Sequence, residues 1–277
     1  MAFAKKIVLF VIVFFSSAPV SGQDAQLCHI ANAGFFATDG QKSILMDALF
    51  ARGLVGYNFA PPPLRREMEY MQGRFANVRM IFASHDHADH MKGEPIIRHL
   101  RHNPDTTIIM TKQGHDKLRS VDLMPYEEER IYSDVPKIGE SKILEGLAFP
   151  TTLYGISHGV GRAIENIGIR VEIAGQSIMH VGDMDAKLDD LKAAGIDKLK
   201  VDWLLLPYWL LLDKETLKLM DAAFDARHIV PMHYDKGDLT KWLKKQGGID
   251  EIKEKVRKSL PNIIELDTEM ACISLKK

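Results

Sequence analysis

Residues Ser84-His85-Asp86-His87-Ala88-Asp89-His90 place three histidines and two aspartates within seven positions. Few folds can use such a stretch. It follows Val78-Arg79-Met80-Ile81-Phe82-Ala83, a short, largely apolar run that reads as a buried strand. Met91–Leu100 comes next, with apolar spacing that suits a helix. The histidines and aspartates therefore occupy a strand-to-helix loop, where a rigid scaffold presents side chains outward. A turn can aim neighbouring ligands at two different points, which a continuous strand or helix cannot do. Read as chemistry, the stretch has the form HxHxDH and supplies imidazole and carboxylate donors for metal ions.

Three further donors share that context, the exit from a strand. His158 lies in the glycine-rich loop Tyr154–Gly161, and Asp183 follows the strand Ser177–Val181 through Gly182. His233 ends the strand His228–Tyr234. Imidazole and carboxylate together suit zinc, manganese or iron, and the lack of thiolates near the histidines removes a soft-metal site. The first half of the chain reads as two strands over Cys28–Phe50 joined at the turn Thr38-Asp39-Gly40-Gln41, the second, Ser43–Leu49, ending near the acidic Asp47. A proline-rich loop and short helix at Gly53–Gln72 come before the strand at Val78. Beyond the metal loop, the reading gives a strand at Thr106–Met110, a helix at Lys112–Ser120 and β structure over Ile131–Thr152. A hairpin about Ala174-Gly175-Gln176 follows. The strand Trp203–Pro207, a helix at Lys214–Ala226, a charged helix at Ile249–Ser259 and strands at Ile263–Leu266 and Ala271–Leu275 complete the chain. Two runs of strands, each accompanied by helices, predict an α/β layered architecture with helices outside two sheets.

The order HxHxDH, distant His, Asp after a strand, final His resembles the metal-binding signature of the metallo-β-lactamase superfamily. Ser157-His158-Gly159, Gly182-Asp183 and Pro231-Met232-His233-Tyr234 resemble the branch containing the ascorbate-phosphate lactonase and the N-acyl-phosphatidylethanolamine phospholipase D. The resemblance covers roughly Cys28 to Tyr234. It implies a four-layer αββα sandwich and two divalent metal ions, most simply Zn2+ with Mn2+ or Fe as alternatives. His85, His87 and His158 would hold the first ion, and Asp89, His90 and His233 the second. Asp183 would bridge the two, and Asp89 and Asp183 are the carboxylates assigned to catalysis. Two dications about 3.5–4 Å apart need an anionic bridge, and a hydroxide between them is a nucleophile at neutral pH. Such a site hydrolyses an ester, lactone, amide or phosphodiester bond of a small-molecule substrate. Two rivals remain open: an iron-dependent redox enzyme of the same fold (sulfur dioxygenase-like), and a non-catalytic metal-binding protein.

The remaining candidates read differently. Asp86 is expected to hydrogen-bond behind the ligands, and Asp185 to lie on the surface or cap a helix. His29, His99, His102, His115, His180 and His228 read as structural or solvated. Tyr57, Phe59, Tyr208, Trp209 and Tyr234 are loop aromatics near the site strands, with Tyr57, Tyr208 and Trp209 the candidates for substrate binding. Arg162 could meet an anionic group. The segment Gly53–Gln72 is longer than a simple connection needs and is expected to cover the site.

Composition bounds the rest. A chain of 277 residues with 46% hydrophobic and 26% charged residues is that of a folded globular protein. A net charge of −1 with scattered basic residues points away from a nucleic-acid partner. Lys5-Lys6, the apolar run Ile7–Phe15 and small residues up to Gly22 have the layout of a secretory signal peptide. Residues 1–22 are thus read as a signal peptide and 23–277 as one domain. The expectation is a periplasmic or secreted protein with no stable membrane insertion after cleavage; the sequence leaves the oligomeric state open. In an oxidising compartment Cys28 and Cys272, the two cysteines, could pair.

Overall fold

Strand residues alternate between two environments. Phe35, Ile44, Met46, Phe82 and Ile109 join one buried cluster, while Phe36, Leu45, Ile81 and Ile108 join another. That period of two is the signature of a sheet covered on both faces. The computed structural model describes residues 24–51, 56–159, 163–234, 247–260, 263–266 and 268–276. The signal peptide read over 1–22 and Arg162 lie outside the described residues.

Seven strands form the first sheet: β1 (Gln26–Ala31), β2 (Gly34–Thr38), β3 (Ser43–Met46), β4 (Val78–Ala83), β5 (Thr107–Met110), β6 (Ile131–Tyr132) and β13 (Cys272–Ser274). Their spatial order is β13-β1-β2-β3-β4-β5-β6, with β3 to β6 parallel. Six strands form the second: β7 (Ser141–Leu144), β8 (Thr151–Gly155), β9 (Ile167–Ile173), β10 (Gln176–His180), β11 (Leu199–Pro207) and β12 (Phe224–Met232). They lie in reverse order, β12-β11-β10-β9-β8-β7, with β10, β11 and β12 parallel.

The two sheets face each other across a core that joins Phe35, Met46 and Phe82 to Ile169, Val171, Ile178 and Leu204. Burying each such side chain contributes on the order of 1.5–3 kcal/mol. The outer face of the first sheet is covered by α1 (Pro62–Glu69), α2 (Gly93–His102) and α3 (Lys112–Arg119) through Leu64, Met68, Ile96, Ile97, Leu100 and Leu118. A short α4 (Pro125–Glu128) precedes β6. On the second sheet, α5 (Leu188–Ala193), α6 (Lys214–Ala223) and α7 (Ile249–Ser259) bury Leu191, Met220, Ala223, Ile252 and Val256. The layers are helix, sheet, sheet, helix, as the sequence predicts. Among the described residues no helix is long and apolar enough to cross a membrane.

Local differences have physical causes. Cys28–Phe50 holds three strands rather than two, because Asn32, with φ 51°, turns the chain between β1 and β2 inside an otherwise apolar run. Asn tolerates this left-handed conformation, so no glycine marks the turn. The helix read over Lys214–Ala226 stops at Ala223, since Phe224 onward pairs with Leu199 and its successors in β11. Ile263 makes a single bridge to Ile229 rather than opening a strand. Cys28 and Cys272 sit opposite each other in the β1–β13 register and are joined by a disulfide. It closes a loop of 244 residues, worth about 5 kcal/mol in the chain-entropy account.

His99 is wholly buried in α2, with Nδ1 against the Met68 carbonyl at 2.7 Å and Nε2 by Thr106 Oγ1 at 3.2 Å. Its reading as structural is met. Burial pushes its pKa down to about 4. The unfolded chain therefore takes up this proton first as pH falls, and the stability His99 contributes above pH 6.5 is lost between 6.5 and about 4. Linkage puts that loss at about 3 kcal/mol. Denaturant titrations across this range should show a shallower pH dependence in His99→Gln than in the wild type.

Candidate metal centre

One rim of the sandwich collects the chemistry, because β1, β3, β4, β8, β10 and β12 all run toward it. Their exits deliver Asn32, Asp47, the 84–90 loop, His158, Asp183 and His233 in turn. Three groups of donors among the described residues lie close enough to hold a metal ion. His85, His87, His158 and Asp183 make the first, Asp89, His90 and His233 the second, and Asp47 with His85 and His90 a third that shares its histidines with the other two, with ligand atoms within 4.8 Å of one another in each. The first two contain the sets the sequence resemblance implies, with Asp183 grouped in the first.

Asp183 stands between them. Its Oδ1 lies 3.3 Å from His90 Nε2 and 3.4 Å from His233 Nε2. Its Oδ2 lies 3.7 Å from His85 Nε2 and 3.6 Å from His158 Nε2. One oxygen thus faces each group. Gly182 makes the turn that aims it, at φ 60°, where a Cβ would sit 2.1 Å from Asn166 Oδ1 and 2.7 Å from Ser84 Cβ. Asn166 Oδ1 accepts from the Asp183 backbone N–H at 3.1 Å, and its amide donates to the Val181 carbonyl at 3.2 Å. The His158 loop is tied to the same turn by a 2.9 Å bond from Asp185 N–H to the Ser157 carbonyl.

Asp47 organises the other side. It is fully buried at the end of β3 with φ 46°. Its Oδ1 accepts from the Ser84 backbone N–H at 2.7 Å. Its Oδ2 accepts from Ser84 Oγ at 2.6 Å and from His90 Nδ1 at 2.7 Å. A carboxylate only accepts, so His90 carries its proton on Nδ1. Ser84 has spent its hydroxyl proton on Asp47 and so accepts from His85 Nδ1 at 2.9 Å. Both imidazoles are left with Nε2 lone pairs aimed into the site, the arrangement a metal-binding histidine needs. The Asp47 role lies outside the sequence motif; its place at the end of a strand beside the 84–90 loop was the available signal.

The donor set fits cations. His90 Nε2 and His233 Nε2 face each other at 3.1 Å, and His85 Nε2 and His87 Nδ1 at 3.0 Å. Lone pairs this close need a positive charge between them. Asp89 Oδ1 is buried without a hydrogen-bond donor. Proton affinities tell the same story. Burial opposes charge on His233, yet Asp183 and Asp89 raise it to about 9. Burial is likewise outweighed at His90, where Asp183 and Asp47 hold the pKa well above the usual range. In Asp183 the cost of burial is overcome by His233 and His90, which keep the carboxyl well below its ordinary value. Burial lowers His85 and His87. The carboxylates hold protons on the second group where cations would otherwise stand.

A cavity of about 450 Å³ opens over both groups, lined by His87, Asp89, His158, Asp183 and His233 and by Tyr57, Asp185, Trp209, Leu210 and Thr216. Tyr57 and Trp209 meet the His233 ring edge-on at 4.7 and 5.0 Å. Tyr208 is not in the lining: it is buried and stacks on Tyr234 at 5.3 Å, because the turn after β11 points it inward. Phe59 lines a separate cavity with His29 and Ile30. Of the segment expected to cover the site, Tyr57 reaches it; residues 52–55 lie outside the described residues. Asp185 is exposed, as read, but at the cavity mouth. Asp86 makes no bond behind the ligands; it pairs with Lys117 of α3 at 3.1 Å. His180 faces the Ala33 carbonyl at 2.8 Å and accepts from Gly182 N–H at 3.0 Å, so it supports the Asp183 turn rather than only filling a wall.

An αββα sandwich carrying this double His/Asp site at its rim is that of the metal-dependent hydrolases. The profile described as "Beta-lactamase superfamily domain" matches residues 42–248, and the chain belongs to that family, the metallo-β-lactamase superfamily. No curated protein matches it in sequence. Among solved structures it is similar to a possible metal-dependent hydrolase from Veillonella parvula, with 15% identity, TM-score 0.58, 91% of this chain and 100% of that one covered. It is similar also to a metallo hydrolase from the hyperthermophilic archaeon Ignicoccus hospitalis, with 15% identity, TM-score 0.56, and 92% and 100% covered. A diiron β-hydroxylase from Streptomyces venezuelae matches at 13% identity and TM-score 0.57, over 91% of this chain and 54% of its own. At these identities the likeness is one of fold.

Replacing Asp47 by Ala should release both histidine tautomers at once. The expected outcome is a loss of metal affinity of about 10–100-fold at both groups, measured by titration of the metal-free chain. Loss at one group alone would contradict the shared role of this carboxylate.

Proposed function

We propose that the protein is an exported binuclear hydrolase in which His85, His87 and His158 hold one divalent ion, Asp89, His90 and His233 hold the other, and Asp183 bridges them. The observation that carries this reading is Asp183, with one carboxylate oxygen toward each group. Zinc is the simplest assignment for this all-imidazole and carboxylate set, and manganese or iron uses the same donors. Two such ions, when bound, polarise the attacked carbonyl or phosphoryl oxygen and make water a nucleophile at neutral pH.

The chain's own residues supply the rest. Asp89 and Asp183 place negative charge beside the ions and hold them in register. Tyr57, Trp209 and Leu210 wall the cavity with apolar surface, exclude bulk water and take the non-reacting part of a small substrate. The substrate bond is an ester, lactone, amide or phosphodiester. Neither a serine nor a cysteine nucleophile is required. Export is supported by the signal-like residues 1–22 and by the Cys28–Cys272 disulfide, which an oxidising compartment favours.

Chelation should abolish hydrolysis, and readdition of zinc or manganese should restore it. Asp183→Asn should keep near-native circular dichroism while losing at least 100-fold in kcat, and its metal content should fall below two per chain. Full activity at unchanged metal content would sink the binuclear reading. Export has its own check. Protein recovered from outside the cytoplasm should begin near Gln23, and its unreduced, denatured chain should titrate no thiol. Two free thiols and an intact N-terminus would place it inside the cell.

A further inference from the structure

We infer that Asn32 is the positioning residue of the second ion, and that it sets how tightly that ion is held; this rests on the binuclear reading above. Asp89 and His233 reach the second group from opposite sheets, Asp89 from the loop after β4 and His233 from the end of β12. Asn32 links these two ends by hydrogen bonds, from the turn between β1 and β2. Its amide Nδ2 donates to Asp89 Oδ2 at 3.1 Å and to the Asp89 carbonyl at 3.2 Å. Its own carbonyl accepts from the His233 backbone N–H at 3.2 Å. One buried residue therefore touches two of the three donors, through side chain on one side and backbone on the other.

The amide can take only one orientation. Both Asp89 atoms it meets are acceptors, so Nδ2 must face them, which leaves Asn32 Oδ1 buried without a partner. The same bond selects among the Asp89 oxygens. Oδ2, the oxygen it holds, is the one that faces the second group, 3.2 Å from His233 Nε2 and 3.8 Å from His90 Nε2. The backbone is as specific as the side chain. Asn32 sits at φ 51° and His233 at φ 67°, a conformation that asparagine accepts at small cost. Behind it, His29 Nε2 lies 3.1 Å from the Asn32 carbonyl and Nδ1 lies 3.3 Å from the Thr268 carbonyl. The first group has no such support from Asn32, so the two ions should respond differently when it is changed.

Asn32→Gly removes the amide while leaving the left-handed turn and the carbonyl to His233 intact. Cobalt or zinc titrated into the metal-free variant, followed by calorimetry and by the cobalt absorption bands, should show the first ion bound as in wild type. The second should bind 10–100-fold more weakly, the range typical for outer partners of metal ligands. Asn32→Asp, nearly isosteric and equally at ease at this φ, serves if the glycine variant does not fold; it also lacks the donor and should weaken the second ion. Circular dichroism and thermal unfolding of the metal-free chains should match wild type. A second ion held by either folded variant as tightly as by wild type overturns the inference, as does equal weakening of both ions. A wild-type chain that takes up only one ion overturns the binuclear reading itself, and this inference with it.

Discussion

The site depends first on the Asp47 carboxylate. It is fully buried, with one oxygen on the Ser84 backbone and the other shared by Ser84 Oγ and His90 Nδ1. A buried charge without partners is costly, so these three donors are the condition for Asp47 to be there at all. In return it fixes which nitrogen of His90 carries a proton and, through Ser84, which nitrogen of His85 does. Each of the first two donor groups contains one of those histidines. The local geometry of both groups thus descends from one side chain at the end of β3, pinned in a left-handed turn.

Around that anchor the fold works by convergence. Parallel strands in both sheets end at the same rim, so donors remote in sequence arrive within a few ångströms. The core between the sheets fixes their separation, and interior packing is too dense to let it drift. Asp183 then closes the space, held by Gly182, Asn166 and His180 and facing both groups. The concentration of carboxylate charge explains the raised proton affinity of His90 and His233. Negative charge at this point demands a positive partner, and protons fill the role when ions do not.

The cavity above the donors differs in character from the donors themselves. Its floor is charged, and its walls are Tyr57, in a loop, and Trp209 and Leu210, in the short 3-10 turn after β11. Loops vary at little cost to the scaffold, whereas the donor turns are locked by buried hydrogen bonds. This separation is why members of one fold can share a metal platform and act on different substrates.

The seven donor residues were legible in the sequence because their types are rare in such density and because each sits at the exit of a readable strand. The layered architecture followed from short apolar strand runs bounded by turn residues and accompanied by helices. Asp47, Ser84, Asn32, Asn166 and His180 were not legible in their roles. Each is a common residue type whose function depends on a partner far along the chain, such as Asn32 with Asp89 at a separation of 57 residues. Tyr208 and Trp209 are adjacent aromatics that composition cannot distinguish. Only the turn after β11, set by pairing with β12, sends the first into the core and the second to the cavity. Local pattern determines which residues can bind a metal; where two sheets meet decides which partners orient them and which side chains reach the substrate.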